Sequence, residues 1–320
     1  MSLFDEIRRA SAEVAAGARH VQIDIAGLPG YATGLPLDAV GKPLLDPAHH
    51  YLGAGADTVA FLVTLDAINF GSGYFPHLRK RPGLSGYFTV ATALTAYFRD
   101  AGPLEAAALA VLRAEDCAAL LGQDMANAPV AELMGLFARA LNDLGRLLQG
   151  RFGGSFTALV EAAGGSAEKL AVLLAEMPCF HDVESWHGRA VPFYKRAQLT
   201  AADLALAFDG KGWGRFADLD RLTIFADNLV PHVLRLDGVL RYRPELAERI
   251  DREELIPAGS EEEVEIRACA VHAVELMAAE LRRRGHGTTA MQLDYLLWNR
   301  GQQPEYKRAK PRHRTRTVFY

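Results

Sequence analysis

Several common signals are scarce or absent in this sequence. It has three cysteines, none in a C-x-x-C pair, which excludes a disulfide framework and predicts a reducing, cytoplasmic setting. No apolar run reaches membrane-spanning length, and no basic segment followed by an apolar one opens the chain. The net charge of -4 provides no general positive field for nucleic acid. We therefore expect no membrane partner and no stable nucleic-acid partner.

Motifs of several enzyme classes are also missing. There is no G-x-G-x-x-G after a strand, no G-x-x-x-x-G-K-[ST] loop, no H-E-x-x-H and no G-x-S-x-G. His49, His50 and His181 have no partners at metal-ligand spacing. These absences weigh against a dinucleotide enzyme, a P-loop protein, a zinc protease and an α/β-hydrolase, and we expect no metal site.

Helical periodicity is what the sequence does contain. With 320 residues, 50% of them hydrophobic, the chain has ample material for a core. The best β candidate is a hairpin over 183–193, turning at His187-Gly188, and Gly27 to Pro47 is predicted to be loop. We expect a mainly α fold forming one compact domain over residues 1–320. The predicted helices begin near Ser2, Asp57, Gly86, Pro103, Val130, Ser155, Ser166, Lys195, Leu222, Leu229, Pro244, Ser260 and Thr288.

Lys195 and Asp227 each stand among apolar residues where a helical pattern begins. A lysine and an aspartate so placed are a plausible catalytic pair. Structural alternatives remain open for both, because Asp227 also fits a helix N-cap and Lys195 also fits a surface lysine with a snorkelling stem.

Two further charged residues lie on apolar helix faces. Arg267 falls on the stripe that includes Val264 and Val271, so it must be paired, either structurally or to arrange a carboxylate at a site. Asp294 shares a face with Trp298, and a carboxylate there is able to accept two N–H bonds from a guanine-like base. The alternative is a capping or paired aspartate.

The stretch Asn69-Phe70-Gly71 ends a predicted helix with a glycine beside aromatics. Such a stretch permits close backbone approach to a ligand, or it is a C-cap turn with its aromatics in the core. The C-terminal region is basic and then finishes Thr317-Val318-Phe319-Tyr320, an apolar end that predicts docking back onto the domain.

The chain resembles the queuosine salvage family, the queuosine 5′-phosphate N-glycosylases/hydrolases, nearly from end to end. Ordered blocks carry the resemblance. They are LDAINFGSGYFP, SGYFTVATAL, RFGGSF, FYKRAQLTAADL, FADNLVPHVLRLDGVLRY, EEVEIRACAVHAVELM, LDYLLWN and HRTRTVFY.

The resemblance implies a helical fold like that of the DNA glycosylases, and hydrolysis of the N-glycosidic bond of queuosine 5′-monophosphate to release queuine. It implies no metal and no organic cofactor. By matching position, Asp227 is implied as the catalytic carboxylate and Lys195 as its partner. Asn69, Phe70 and Asp294 match the base pocket less securely, and His50 more weakly still.

Under this hypothesis Asp227 stabilises or attacks an oxocarbenium-like sugar. Queuine is a 7-deazaguanine, so its departure needs hydrogen bonds elsewhere than position 7. Asp294 and backbone N–H groups near Gly71 are candidates for these bonds, and Phe70 or Trp298 for stacking. The candidates for the 5′-phosphate are His232, Arg267 and Arg316. The alternatives are a non-catalytic protein binding queuine or a nucleotide, and a tRNA-binding helical protein.

Overall fold

Helices dominate the computed structural model, which describes residues 2–37 and 45–320. This confirms the mainly α fold predicted from the sequence. Within these residues no helix is both long and apolar enough to cross a membrane. In chain order the helices are α1 (Leu3–Gly17), α2 (Leu28–Thr33), α3 (Ala56–Ala67), α4 (Gly86–Ala101), α5 (Ala106–Leu109), α6 (Ala114–Leu121), α7 (Ala128–Phe152), α8 (Phe156–Ala162), α9 (Ala167–Leu174), α10 (Lys195–Ala207), α11 (Leu229–Leu236), α12 (Pro244–Asp251), α13 (Glu261–Arg283), α14 (Ala290–Gly301) and α15 (Pro304–Ala309).

Four short strands form two antiparallel pairs in the described part of the chain. They are β1 (Val21–Ile23), β2 (Val183–Trp186), β3 (Arg189–Pro192) and β4 (Leu240–Tyr242). β2 pairs with β3 through a turn in which His187 and Gly188 both have positive φ, and this confirms the predicted hairpin. β1 pairs with β4, a pairing that sequence analysis missed because three residues are too few for an alternating pattern.

The described residues divide into two compact units, each assembled from separated segments, while the predicted single domain over 1–320 stays a prediction. The first unit comprises the described part of Met1–Pro43 with Asp182–Lys195 and Asp220–Arg316. The second comprises the described part of Leu44–His181 with Arg196–Leu219 and Thr317–Tyr320.

Helix α13 is the core of the first unit, where it packs against α1, α2, α11, α14, β1 and β2. It begins next to Ser260, as predicted, and the Ser260 hydroxyl accepts the Glu263 N–H at 3.3 Å. The Glu263 carboxylate reaches the Gly259 N–H at 3.2 Å, so a second free amide is satisfied as well. Acidic residues in the first turn and arginines in the last complement the helix dipole.

Helix α7 is the corresponding core of the second unit, packing against α3, α5, α6 and α8. Gly145 permits the close approach of α5, since a Cβ there would lie 2.4 Å from the Ala110 nitrogen. The Tyr320 side chain is buried and its carbonyl accepts the Gly71 N–H at 2.9 Å. The predicted docking of the apolar C-terminus is therefore confirmed within this unit.

Arg196 ties segments of the second unit together. Its guanidinium stacks 4.6 Å from the ring centres of both Phe70 and Phe180. Burial of a cation is costly unless hydrogen bonds compensate it, and here backbone oxygens do so. The guanidinium donates to the carbonyls of Asp66, Ala67, Cys179 and Val318.

Some local predictions are wrong. The predicted loop Gly27 to Pro47 contains α2, and residues 38–44 of it lie outside the described residues. No helix begins at Leu222, because the apolar run that follows it is buried in a non-helical conformation. A short buried apolar run does not distinguish a helix from an extended segment. The helix predicted from Pro103 is two helices, α5 and α6.

Candidate active site

The segment 225–228 leads into α11 and is anchored residue by residue within the first unit. The Phe225 N–H donates to Asp294 Oδ1 at 2.9 Å. The Ala226 carbonyl accepts from Arg267 Nε, also at 2.9 Å. All four of these residues are buried, so the backbone on the N-terminal side of position 227 is held firmly.

Asp227 itself caps α11. Its Oδ1 accepts the N–H groups of Leu229 at 2.7 Å and Val230 at 3.3 Å, as the capping alternative predicted. Asn228 supplies no cap bond and instead donates to the His313 carbonyl at 3.2 Å. The Asp227 side chain is partly exposed and its Oδ2 takes no part in the cap. One oxygen thus fixes the carboxylate, and neither of these two cap bonds involves the other.

Asp294 is a second carboxyl group close to the first. Burial raises its pKa well above the usual range, and the negative charge of Asp227 raises it further. The Phe225 N–H and the positive charge of Lys195 act in the opposite direction with smaller effect. Asp294 therefore keeps its proton at a pH where ordinary aspartates are ionised, and a protonated carboxyl group donates as well as accepts.

Lys195 is the first residue of α10 and is 6% exposed, so the alternative of an exposed surface lysine does not describe it. Its backbone N–H donates to Asp182 Oδ2 at 3.1 Å. Tyr194, immediately before it, has a φ of 48°, a left-handed conformation that is uncommon outside glycine.

Arg267 is fully buried and paired, as the sequence required. Its Nη1 and Nη2 donate to Asp182 at 3.0 and 2.6 Å, and its guanidinium lies 3.9 Å from the ring centre of Phe193. Glu263 lies 3.6 Å from the same group. The guanidinium is engaged with protein groups on several sides, as both the structural pairing and the carboxylate-arranging role predict.

His232 and His313 are two buried imidazoles in the same unit. Burial lowers the pKa of His232 to about 4 and that of His313 to about 3. His232 Nε2 lies 3.4 Å from the Tyr306 carbonyl, and its Nδ1 has no hydrogen-bond partner among the described residues. Both rings are therefore neutral at physiological pH.

We expect the free energy of unfolding to fall as the pH drops from about 6.5 to about 4. The unfolded chain binds protons at these histidines first, so stability declines with falling pH at about 1.4 kcal/mol per pH unit per proton. Urea unfolding across this range measures the slope. His232→Gln should lower this slope by about 1.4 kcal/mol per pH unit, the contribution of one proton. His286→Gln, at an exposed histidine, is the control, and a His232→Gln slope equal to that of the wild type would contradict the prediction.

Trp298 lies one turn beyond Asp294 on α14 and is half-buried. The Tyr295 ring stands edge-on to Phe225, with centroids 6.0 Å apart. The structure thus brings Lys195, Asp227, Arg267, Asp294, His232 and Trp298 into the first unit.

The remaining predicted site residues belong to the second unit. Phe70 is 1% exposed and packs edge-on against Phe137, and the Gly71 N–H is taken by the Tyr320 carbonyl. These contacts favour the alternative in which the aromatic side chains fill the core. Asn69 Nδ2 lies 3.5 Å from Asp66 Oδ1.

His50 is buried beside an aromatic cluster of that same unit. Its Nδ1 bonds the Asp46 carbonyl and its Nε2 the Tyr87 hydroxyl, both at 2.9 Å. Burial lowers the pKa of His50. Both ring nitrogens are therefore already engaged by protein groups.

Among the described residues, His20, Glu261 and Glu265 have ligating atoms within 4.8 Å of one another. Glu265 already accepts backbone N–H groups from residues 19, 20 and 21, at 2.6 to 3.1 Å. Glu261 bonds His187 Nε2 at 2.9 Å. The acidic residues of this group therefore have a structural role, because Glu265 holds the backbone that leads into β1.

Asp182 and Arg312 were missed by sequence reasoning. Asp182 stands alone before the hairpin, with no periodic pattern to mark it. Arg312 lies in a basic tail that predicts only a solvated end. Burial among protein atoms lowers the pKa of Arg312, nearby Asp227 opposes this, and the residue is exposed to solvent.

The helices define a mainly α-helical protein. Its candidate site is built from the carboxyl groups of Asp227 and Asp294, from Lys195, and from nearby arginines. The chain belongs to the queuosine salvage protein family, whose model matches residues 49–320.

Named relatives agree with this family. A Sphaerobacter thermophilus protein named queuosine 5′-phosphate N-glycosylase/hydrolase is 38% identical over 308 residues, which cover 95% of this chain and 94% of the relative. Proteins of the same name from Mus musculus and Dictyostelium discoideum are 38% and 39% identical. Their matches cover 57% of this chain, and 56% and 57% of their own lengths.

Proposed function

We propose that this protein hydrolyses the N-glycosidic bond of queuosine 5′-monophosphate and releases queuine. The observation that carries the proposal is the 38% identity, over 95% of the chain, to a relative named queuosine 5′-phosphate N-glycosylase/hydrolase. The site is consistent with it, since a glycoside hydrolase needs a fixed carboxylate and a proton donor. The substrate is a small molecule, and the reaction requires no cofactor.

Asp227 is the proposed catalytic carboxylate. As the bond to the base breaks, its electron pair goes to the base and positive charge develops at C1′ of the ribose. A fixed negative oxygen stabilises that charge without reorganising, and Oδ1 fixes the group through its two cap bonds. Water then supplies the hydroxyl at C1′, and the base takes up a proton.

Asp294 is the proposed partner of the departing base. A carboxyl group with a raised pKa donates a hydrogen bond to a ring nitrogen or exocyclic oxygen that gains negative charge. This matters for a 7-deazaguanine, in which carbon replaces the nitrogen at position 7. Trp298, one turn along α14, offers an aromatic face for stacking. Asn69, Phe70, Gly71 and His50 belong to the second unit, and the proposal assigns them no step.

We assign the 5′-phosphate to Arg312. Arg267 is fully buried and committed to Asp182, and His232 is a neutral buried ring, so neither presents a free positive charge. Arg312 is charged, reaches solvent and lies within the electrostatic range of Asp227. A guanidinium binds phosphate through two parallel N–H bonds.

Arg312→Met should raise KM for the monophosphate by about 10- to 100-fold, the effect of losing one or two charge-assisted hydrogen bonds. Turnover of queuosine without its phosphate should change little. Lys310→Met, in the same tail, removes an equal charge and is the control. Equal effects on both substrates in the Arg312 variant would place the phosphate elsewhere.

The cytosol is the proposed compartment, since all three cysteines are free and buried. Stable binding of nucleic acid is not expected from a net charge of -4. An RNA-binding protein would bind with an affinity that falls steeply as salt rises, which a titration with tRNA measures.

Mass spectrometry after incubation with queuosine 5′-monophosphate and, separately, with queuosine tests the function. Release of queuine from the monophosphate alone supports the hydrolase and a phosphate site. Release from both at equal rates removes the phosphate site from the mechanism. If base and sugar stay joined in both incubations, the protein is a binding protein and the proposal is wrong.

A further inference from the structure

We propose that Asp182, which is 2% exposed, is a positioning residue that fixes Lys195 relative to Asp227, an inference that rests on the proposed function. Its backbone carbonyl accepts the N–H groups of Phe193 at 2.9 Å and Tyr194 at 3.2 Å. Its carboxylate accepts the next N–H, that of Lys195, at 3.1 Å. Three consecutive amides at the start of α10 are therefore held by one residue.

The backbone conformation of Tyr194 explains why these bonds are needed. Its φ of 48° places a large side chain in the left-handed region, a conformation that persists only where the surroundings enforce it. The bonds from Asp182 enforce it from both sides of the Tyr194 residue. This turn sets the direction in which Lys195 leaves the backbone.

The same carboxylate reaches the other half of the pair through Arg267. Both oxygens of Asp182 accept from the guanidinium, at 3.0 and 2.6 Å. The third nitrogen of Arg267 donates to the Ala226 carbonyl, one residue before Asp227. A continuous path of hydrogen bonds through the Asp182 and Arg267 side chains thus runs from the Lys195 amide to the Ala226 carbonyl, in the peptide bond that precedes Asp227.

This path matters for catalysis because it holds Lys195 and Asp227 in a fixed relative position. Reacting groups held in near-attack geometry lose about 10²-fold in rate for a displacement of about 1 Å. Neither Asp182 nor Arg267 needs to touch the substrate to have this effect. A purely structural ion pair would lower stability when broken and would leave the turnover of the folded molecules unchanged.

The double variant Asp182→Asn/Arg267→Gln tests this role, because it removes the two directly bonded charges together, and the Glu263 carboxylate near Arg267 keeps its bond from the Gly259 N–H. We expect kcat to fall by roughly 10- to 100-fold under conditions where the variant is folded, with KM for queuosine 5′-monophosphate within about twofold of the wild type. The shape of the pH–rate profile should persist, because Lys195 and Asp227 are both retained.

Asp237→Asn is the matched control. Asp237 is a half-buried carboxylate of the same unit that accepts from the hydroxyls of Tyr31 at 2.6 Å and Tyr306 at 2.7 Å. This variant should lose stability and keep its kcat. A wild-type kcat in the double variant would overturn the positioning role, whereas a wild-type protein that releases no queuine would overturn the proposed function as well.

Tyr194→Gly carries the test if the double variant does not fold. It leaves every charge in place and removes the conformational restriction before Lys195 together with the tyrosine side chain, so Tyr194→Ala, which loses the side chain and keeps the restriction, is its control. We expect a severalfold lower kcat at unchanged KM, without loss of folding. An unchanged kcat in this variant would also overturn the proposal.

Discussion

Asp227→Asn is expected to fold, to bind queuosine 5′-monophosphate and to lose about 10³-fold in kcat. An asparagine oxygen accepts the same two N–H bonds at the start of α11, so the cap and the fold survive. What is lost is the negative charge opposite the developing positive charge at C1′. Removal of one such preorganised group costs about 10²- to 10³-fold in kcat, and the full charge places this variant at the upper end. Single-turnover release of queuine measures it.

Asp218→Asn is the matched control for this experiment. Asp218 also uses its carboxylate to cap a helix, accepting the N–H groups of Ala167 at 2.6 Å and Glu168 at 3.1 Å at the start of α9. It belongs to no candidate site. If the two variants lose similar stability and both keep full turnover, Asp227 is a helix cap and nothing more.

The local parts of the fold were within reach of the sequence. The sequence predicts helices beginning near Ser155, Ser166 and Ser260, and each of these hydroxyls accepts the amide three residues ahead. The hairpin at His187-Gly188 was predicted for the same reason, because turn chemistry is encoded by adjacent residues. Features that depend on neighbours in sequence are the ones a single sequence specifies.

Contacts between residues far apart in the sequence could not be predicted from it. The apolar stripe on α13 shows that Arg267 needs a partner, but that partner, Asp182, is 85 residues away in sequence. The pairing of β1 with β4 joins strands more than two hundred residues apart, as the bond between Asp24 and Arg241 at 217 residues illustrates. Only folding brings such groups together, and no local pattern marks them in advance.

Asp227 illustrates a subtler limit. The local reading offered a cap or a catalytic carboxylate as alternatives, and the structure assigns one oxygen to the cap while leaving the other outside it. The two interpretations are therefore compatible for one side chain. Only coordinates separate the duties of the two oxygens, since sequence patterns describe whole residues.

Lys195→Met is expected to lower kcat by roughly 10²-fold and to reduce the stability of the fold. Methionine fills the space of the buried lysine stem, but removing one charge from a buried group of charges leaves its partners uncompensated. The positive charge of Lys195 lowers the pKa of Asp294, so its loss raises that pKa further and leaves two carboxyl groups near each other without their cation. Comparison of kcat and KM for the variant and for Lys211→Met, at an exposed lysine, measures the effect.

The division between kcat and KM decides what Lys195 does. A lower kcat at unchanged KM means that its charge acts only in the transition state, together with Asp227. A raised KM at unchanged kcat would mean that Lys195 binds a ribose hydroxyl or the phosphate equally in the ground and transition states. In that case the buried position of Lys195 would serve substrate binding, and Asp227 would stabilise the sugar cation without it.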